Sequence, residues 1–516
     1  MDNYTKRNDE SFLRRAPAIL CERQGVSEMA CEVTLSDYQP EIQRLLRVRA
    51  TVLPPDTYLG AGSAEAFGTV EYSFLYCGTD GALYSAGHSA EYRATHPMEL
   101  PTDALTEEGI SCDAACFAEE PVCRVTGPRR ISVRCRLRSQ MRLLGTRLPE
   151  EQIEGVDAGE RERLSGMVEC RRAFVGKSEA ILLGDEILCD GDDGDLRVIE
   201  ASGEVFVTDA EPSVGAVNCR GEVVLRLLCC HEASPTTVSV IGRKIPFQGS
   251  VPTDGAEVNC VGCAHGVCKN LRITVEDGRI LCEVEILLGA IAQRNESVFY
   301  TKDLYSTASE CTNVYKEHVF ARADACINGN FSFGASFPLA ELGIRPEQSV
   351  ADVMASATVD AVEEEHGHRY LTGRCVCHLL LCENGEWSTA EVKAPFRYEA
   401  EAGEGCTGME AWTDVISCRV RADGERLSLD AEIAIAAALW GENRFTALAK
   451  ATFGEVLTGA DGRGYTVCYP AVGDTLWSVA RRYHRPLEAL LARNGIPGAP
   501  AADSPASLEG ISYLLI

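Results

Sequence analysis

The sequence predicts a mainly β protein: three tandem antiparallel β-sandwich-like domains followed by a small β-α-α-β module. Three observations lead there. Glycine-led, cysteine-ended strands recur at a nearly constant interval. The segments around them alternate apolar and polar residues with period two. A helical period of 3.6 residues appears near the C-terminus. At 516 residues the chain exceeds the roughly 250–300 residues that one hydrophobic core sustains, so several domains are expected.

The recurring strands are "GTVEYSFLYC" from Gly68, "GEVVLRLLCC" from Gly221 and "GRCVCHLLLC" from Gly373, starting 153 and then 152 residues apart. Each follows a second matched strand, ending at Val52, Val205 and Val359. Each precedes a strand pair around a turn: Val122–Leu137, Leu271–Ile286 and Ile416–Ile433. Asp277-Gly278 and Asp423-Gly424 are hairpin signals, because glycine accepts positive φ without a steric penalty; Gly127-Pro128 takes that slot in the first copy. In "RLSLDAEIAI", Leu427, Leu429, Ala431, Ile433 and Ile435 share one face, which predicts a sheet buried on one side. The expected β domains are 18–145, 172–300 and 312–450, with the charged, glycine-bearing stretch 146–171 as a linker. A repeat of this length is too long for a solenoid.

Charge and cysteine content narrow the function classes. The net charge of -28 repels phosphate backbones and anionic lipids, so no nucleic-acid partner is expected. From Tyr465 onward four arginines balance four acids, which places the excess on the first 464 residues and a domain boundary near 465. The N-terminus shows no apolar run of a secretory signal, and "AEIAIAAALW" is too short to span a bilayer. A cytoplasmic chain without a membrane span is therefore expected, with its 24 cysteines mostly reduced and many of them packed in strands as small hydrophobes.

In the last domain, 465–516, Leu476, Val479, Ala480 and Tyr483 make one apolar helical stripe, with Asp474 as the expected N-cap. Pro486 suits the start of a second helix, Leu487, Leu490 and Leu491 form its inner face, and Asn494-Gly495 ends it. Short strands flank the pair, in "YTVCYPAV" and "ISYLLI".

Other motifs carry less. "FVGKSEA" lacks the first glycine of a phosphate loop, since Arg171 stands there, and reads as a strand edge. Cys260, Cys263, His265 and Cys268 crowd four ligand types into nine residues, where structural zinc sites set two pairs well apart, so no metal site is assigned. "EEEHGHRY" with His366 and His368 reads as a solvated turn. "CDGDDGD" at Cys189–Asp195 breaks the calcium-loop pattern at Gly194 and Ala201. No cofactor or catalytic motif stands out.

Strand, helix, helix, strand, with "GDTLW" and Asn494, resembles the LysM domain. That resemblance implies a shallow groove for N-acetylglucosamine polymers, with Gly473, Asp474, Thr475 and Leu476 facing Asn494, Gly495 and Ile496. Pro470 and the long Pro497–Glu509 connection depart from the LysM pattern. The triplicated β units closed by such a module are similar to SPOCS-domain proteins of spore-coat assembly. This implies a non-enzymatic scaffold in the mother-cell cytoplasm at the forespore surface, docking to the coat's basement-layer ATPase or another coat protein. The rival expectation is a wall-associated protein that binds peptidoglycan or N-acetylglucosamine oligomers.

Overall fold

Strands that alternate in polarity must bury one face, and here they do so by packing sheets in pairs. The computed structural model describes residues 15–149, 151–157, 159–188, 196–231, 234–276, 278–401, 405–457, 466–496 and 503–516. It is 75% strand, with two short helices near the C-terminus.

The first unit contains β1 (Ala16–Thr34), β2 (Ile42–Val52), β3 (Asp56–Gly60), β4 (Ser63–Gly78), β5 (Leu83–Pro97), β6 (Ser111–Ala118), β7 (Val122–Gly127) and β8 (Arg130–Arg147). One sheet runs β1-β8-β6 with β7 on β8; the other runs β2-β4-β3 with β5 on β4. After β9 (Gln152–Glu154), the second unit holds β10 (Arg161–Lys177), β11 (Ile181–Leu188), β12 (Leu196–Ser213), β13 (Ala216–His231), β14 (Ser234–Pro252), β15 (Val261–Glu276) and β16 (Arg279–Ser306). Its sheets are β10-β16-β11 with β15 on β16, and β12-β13-β14. The third holds β17 (Ser309–Pro338), β18 (Ser349–Glu365), β19 (His368–Glu383), β20 (Glu386–Ala400), β21 (Cys406–Asp423) and β22 (Arg426–Val456), in sheets β17-β22-β21 and β18-β19-β20.

The stretch read as a linker is more than a connector. Gln152–Glu154 adds to the third unit's sheet in parallel, opposite Lys450–Thr452 of β22. β10 begins at Arg161, ahead of the expected 172. Its first turn of alternation is masked in the sequence because the inward positions are Glu162 and Leu164, both buried, so a charged residue occupies a core-facing slot. The "CDGDDGD" stretch lies outside the described residues.

The recurring glycines have a common cause. Gly68, Gly221 and Gly373 pair across the sheet with Tyr92, Phe247 and Phe396. A Cβ at Gly221 would lie 2.1 Å from the Phe206 carbonyl oxygen, and at Gly373 2.1 Å from that of Thr358. Those carbonyls approach because β12 and β18 bulge beside them, between Val207 and Asp209 and between Val359 and Ala361. An aromatic ring then covers each bare glycine.

The three units meet at a junction to which each contributes equivalent positions. β2, β12 and β18 carry matching bulges that skip Leu46, Ile199 and Ala351. These three residues pack in one apolar cluster with Leu75, Leu228 and Leu380 and with Cys77, Cys230 and Cys382. The next residue along each bulge is charged: Arg47, Glu200 and Asp352, all buried. Arg47 donates to Asp352 at 2.9 Å and also pairs with Glu200; Arg226 pairs with Asp352.

A second charged cluster sits where the long strands leave their own sandwiches. Register places Asp113 opposite Arg142, Cys263 opposite Ile291 and Glu410 opposite Ala438. The Arg142 guanidinium donates to Asp113 at 2.9 Å and to Glu410, and lies 4.9 Å from the Trp440 ring. Burial and the neighbouring Glu410 push the Asp113 carboxyl up to about 8.

Candidate functional site

The C-terminal module begins with β23 (Val467–Cys468), which pairs with β24 (Leu514–Leu515). β23 stops before Pro470, as a residue without an N–H requires. Two helices lie between, α1 (Leu476–Arg482) and α2 (Leu487–Asn494). Leu476, Val479 and Ala480 are fully buried, and Leu487 and Leu490 nearly so; with Cys468 and Leu514 they form one small core.

The N-cap of α1 is Thr475 instead of Asp474. Its hydroxyl accepts from the Ser478 N–H at 2.9 Å, and the Ser478 hydroxyl accepts from the Thr475 N–H at 2.8 Å. This reciprocal pair satisfies two first-turn donors at once. Asp474 sits one residue too early for that role. Its carboxylate accepts from the Ala471 N–H at 2.9 Å and pairs with Arg482. The hydrogen bond from Arg482 and the one from Ala471 hold the Asp474 carboxyl below the usual carboxylate range.

Pro486 precedes α2 as its N-cap, and Gly495 ends the helix in the left-handed region at φ 63°. Gly473 stands at φ 91°. A Cβ at either glycine would meet nothing within 4 Å, so both loops present bare backbone to solvent. Asn494 closes the module from inside: its carbonyl accepts from the Leu515 N–H at 2.7 Å, and its amino group donates to the carbonyls of Leu515 and Leu490. Leu476 faces the core, and Ile496 packs against the same cluster. Of the seven expected groove residues, the two glycines are therefore the exposed ones, while Asp474, Thr475, Leu476, Asn494 and Ile496 have side chains engaged within the module.

Residues 472–499 match the LysM domain. Comparison with curated proteins and with solved structures found no match. The LysM domain points to carbohydrate or peptidoglycan binding.

The LysM module is fastened to the second β unit around one shared carboxylate, with further contacts beside it. Asp303 of β16 accepts from the Trp477 indole N–H and from Arg481, each at 2.7 Å. Trp477 meets Tyr305 edge-on, ring centroids 4.9 Å apart, and the Tyr305 hydroxyl donates to the Arg485 carbonyl at 2.8 Å. Leu164 of β10 joins the module's core. The sequence shows Trp477 only within the "GDTLW" motif of the LysM resemblance and gives no sign of Asp303 or Tyr305. Their partners lie more than 170 positions away, and the sequence holds no signal that joins them.

A cavity of about 1510 Å³ lies among the three units, its wall including Arg49 and Cys112 of the first, His265 of the second, and Met354, Trp412 and Glu410 of the third. β12 lies along β15 and β18 along β21, whereas β2 and β6 of the first unit approach each other only briefly. The cavity therefore opens where one sandwich edge is left unclosed. His265 stacks on Trp412 at 3.9 Å between ring centroids and 8° between planes; burial pulls its imidazole down to about 4.

The remaining sequence candidates are dispersed. Cys263, His265 and Cys268 are strung along the extended β15: Cys263 faces Ile291, His265 faces Trp412, and Cys268 lies 3.3 Å from the position of a Cβ on Gly203. His366 and Gly367 form the β18–β19 turn with φ 53° and 83°, and His368 pairs with Glu399 at 2.6 Å. Phe174–Lys177 ends strand β10. No helix among the described residues is long and apolar enough to cross a membrane.

Proposed function

We propose that this chain is a non-enzymatic scaffold that presents a LysM groove from a body of three joined β units. The observation that carries the reading is the division of the module's surface. Trp477, Arg481 and Arg485 are committed to Asp303 and Tyr305, while the backbone at Gly473 and Gly495 stays open. Fixing the module on one side while leaving two bare-backbone loops on another suits docking. A sugar's N-acetyl group can approach such backbone closely, so N-acetylglucosamine polymers such as peptidoglycan are the first ligand class.

The finer reading is assembly of the spore coat, with the module docking to a coat protein such as the basement-layer ATPase. The triplicated units support it by their resemblance to SPOCS domains. So does the placement of Asn494, whose amide is spent on Leu515 and Leu490 and is not free for a sugar. Tyr469 and Val472, 75% and 108% exposed, add apolar surface beside the loop that a protein partner would cover.

Co-sedimentation of the full chain with insoluble peptidoglycan tests the glycan ligand. Gly495→Asn keeps the left-handed backbone that asparagine tolerates and fills the open space beside it. Retention competed by N-acetylglucosamine oligomers and reduced about tenfold by Gly495→Asn supports the glycan. No retention, with a fluorescent fusion ringing the forespore, supports the coat partner. No retention with a diffuse fusion removes both.

A further inference from the structure

The repeat predicts what should stand at each position of each unit, so a place where one unit departs from it in chemistry can be singled out. Ser73, Arg226 and His378 are equivalent positions on β4, β13 and β19, 153 and 152 residues apart. Their cross-strand partners are Gly87, Gly242 and Glu391. In the first two units the slot pairs serine or arginine with glycine. In the third it pairs an imidazole with a carboxylate, locked side by side by strand register.

A third group reaches this pair from another unit. Glu120 lies between β6 and β7, exposed, and its carboxyl is within hydrogen-bond reach of Glu391. One ligand atom from each of Glu120, His378 and Glu391 lies within 4.8 Å of the others. His378 Nδ1 and Glu391 Oε2 are 3.9 Å apart, too far for a hydrogen bond. Two nitrogen or oxygen ligand atoms on one tetrahedral zinc ion stand about 3.4 Å apart, so a small side-chain adjustment brings this pair to ligand spacing. Lys393 holds the other Glu391 oxygen, Oε1, at 2.6 Å, which leaves Oε2 turned to the imidazole. Glu120 and His378 both line the cavity wall.

We propose that Glu120, His378 and Glu391 bind one divalent transition-metal ion, zinc by its ligand set, which ties the β6–β7 connection of the first unit to the β19–β20 hairpin of the third at the cavity. One imidazole and two carboxylates suit zinc among the first-row ions. Three protein ligands leave a fourth position for water. Two strand-borne ligands are fixed before the ion arrives, so ordering falls on Glu120 alone. The ion replaces the repulsion of two facing carboxylates with a common counter-charge.

The experiment uses the full chain, stripped with chelator under reducing conditions, titrated with zinc by calorimetry and with cobalt(II) by absorption. The expected result is one saturable equivalent, visible cobalt bands without a near-ultraviolet sulfur-to-cobalt band, and binding at least about tenfold weaker in Glu120→Gln and in His378→Gln. Zinc should also raise the melting temperature of the parent chain and not that of Glu120→Gln, whose exposed position leaves folding intact. A sulfur-to-cobalt band, absence of a saturable site, or undiminished binding in both variants would overturn the proposal, since any of these assigns the metal elsewhere.

Discussion

The three-way junction has an apolar layer and a charged layer one residue apart, and they specify different things. Leu75, Leu228 and Leu380 are the same residue three times, beside Leu46, Ile199 and Ala351, so this layer holds the units together and distinguishes among them only by side-chain size. Arg47, Glu200 and Asp352 occupy equivalent places with unlike charges. Three copies of any one of them would put three like charges in a buried space. The apolar layer supplies adhesion; the charged layer requires one cation-bearing unit beside two acid-bearing ones, and so disfavours an assembly of three identical units.

Breaking the charged layer should cost most. Arg47→Ala leaves Glu200 and Asp352 buried without their shared cation, an expected loss of about 3–5 kcal/mol in urea unfolding. Replacing all three together with Arg226, which also pairs with Asp352, by apolar residues of similar size should restore stability; if that quadruple variant is as unstable as Arg47→Ala, the layer contributes adhesion as well as specificity. Leu228→Ala, in the layer above, should cost about 2–4 kcal/mol through the cavity it leaves. Equal losses from Leu75→Ala and Leu380→Ala would confirm that this layer treats the units alike.

Away from the junction the effects should shrink. Asp303→Ala removes the acceptor shared by Trp477 and Arg481 and is expected to cost about 1–3 kcal/mol. The loss should appear as faster hydrogen exchange in α1 and around Asn313 and Tyr315 of β17, which also donate to Asp303, with the rest of the β units unchanged. A separate effect concerns pH. His265 is pulled down to about 4 by burial, below its unfolded value of about 6.5. Its contribution is therefore complete above about 6.5 and is lost as pH falls toward 4. His265→Gln, which cannot titrate, should flatten melting temperature against pH in that window; an unchanged slope would assign the acid response to the carboxylates instead.

Much of the local architecture is legible in the sequence because it is set by local rules. Period two along Leu427–Ile435 follows from one buried face, and those five residues are buried as expected. Asn494-Gly495 ends α2 because asparagine and glycine are suited to such a terminus. The misreadings have physical causes too. Asp474 and Thr475 are both good caps, and the choice turned on whether a hydroxyl three residues on could answer, which Ser478 does. The strand at Arg161 was hidden because Glu162 fills an inward slot.

What the sequence determined by itself is a periodic β chain in three copies with a helical LysM module at its end, since hydrophobic period, turn chemistry and repeat spacing act over a few residues. Which surfaces meet was decided by the tertiary structure alone. Arg47 with Asp352, Trp477 with Asp303 and Glu120 with His378 are pairs separated by more than 170 positions, brought together only when the bulged strands converge and exclude water. A charge or an indole looks the same in the sequence whether solvent or a partner will satisfy it; burial makes the difference, and burial is a property of the whole fold.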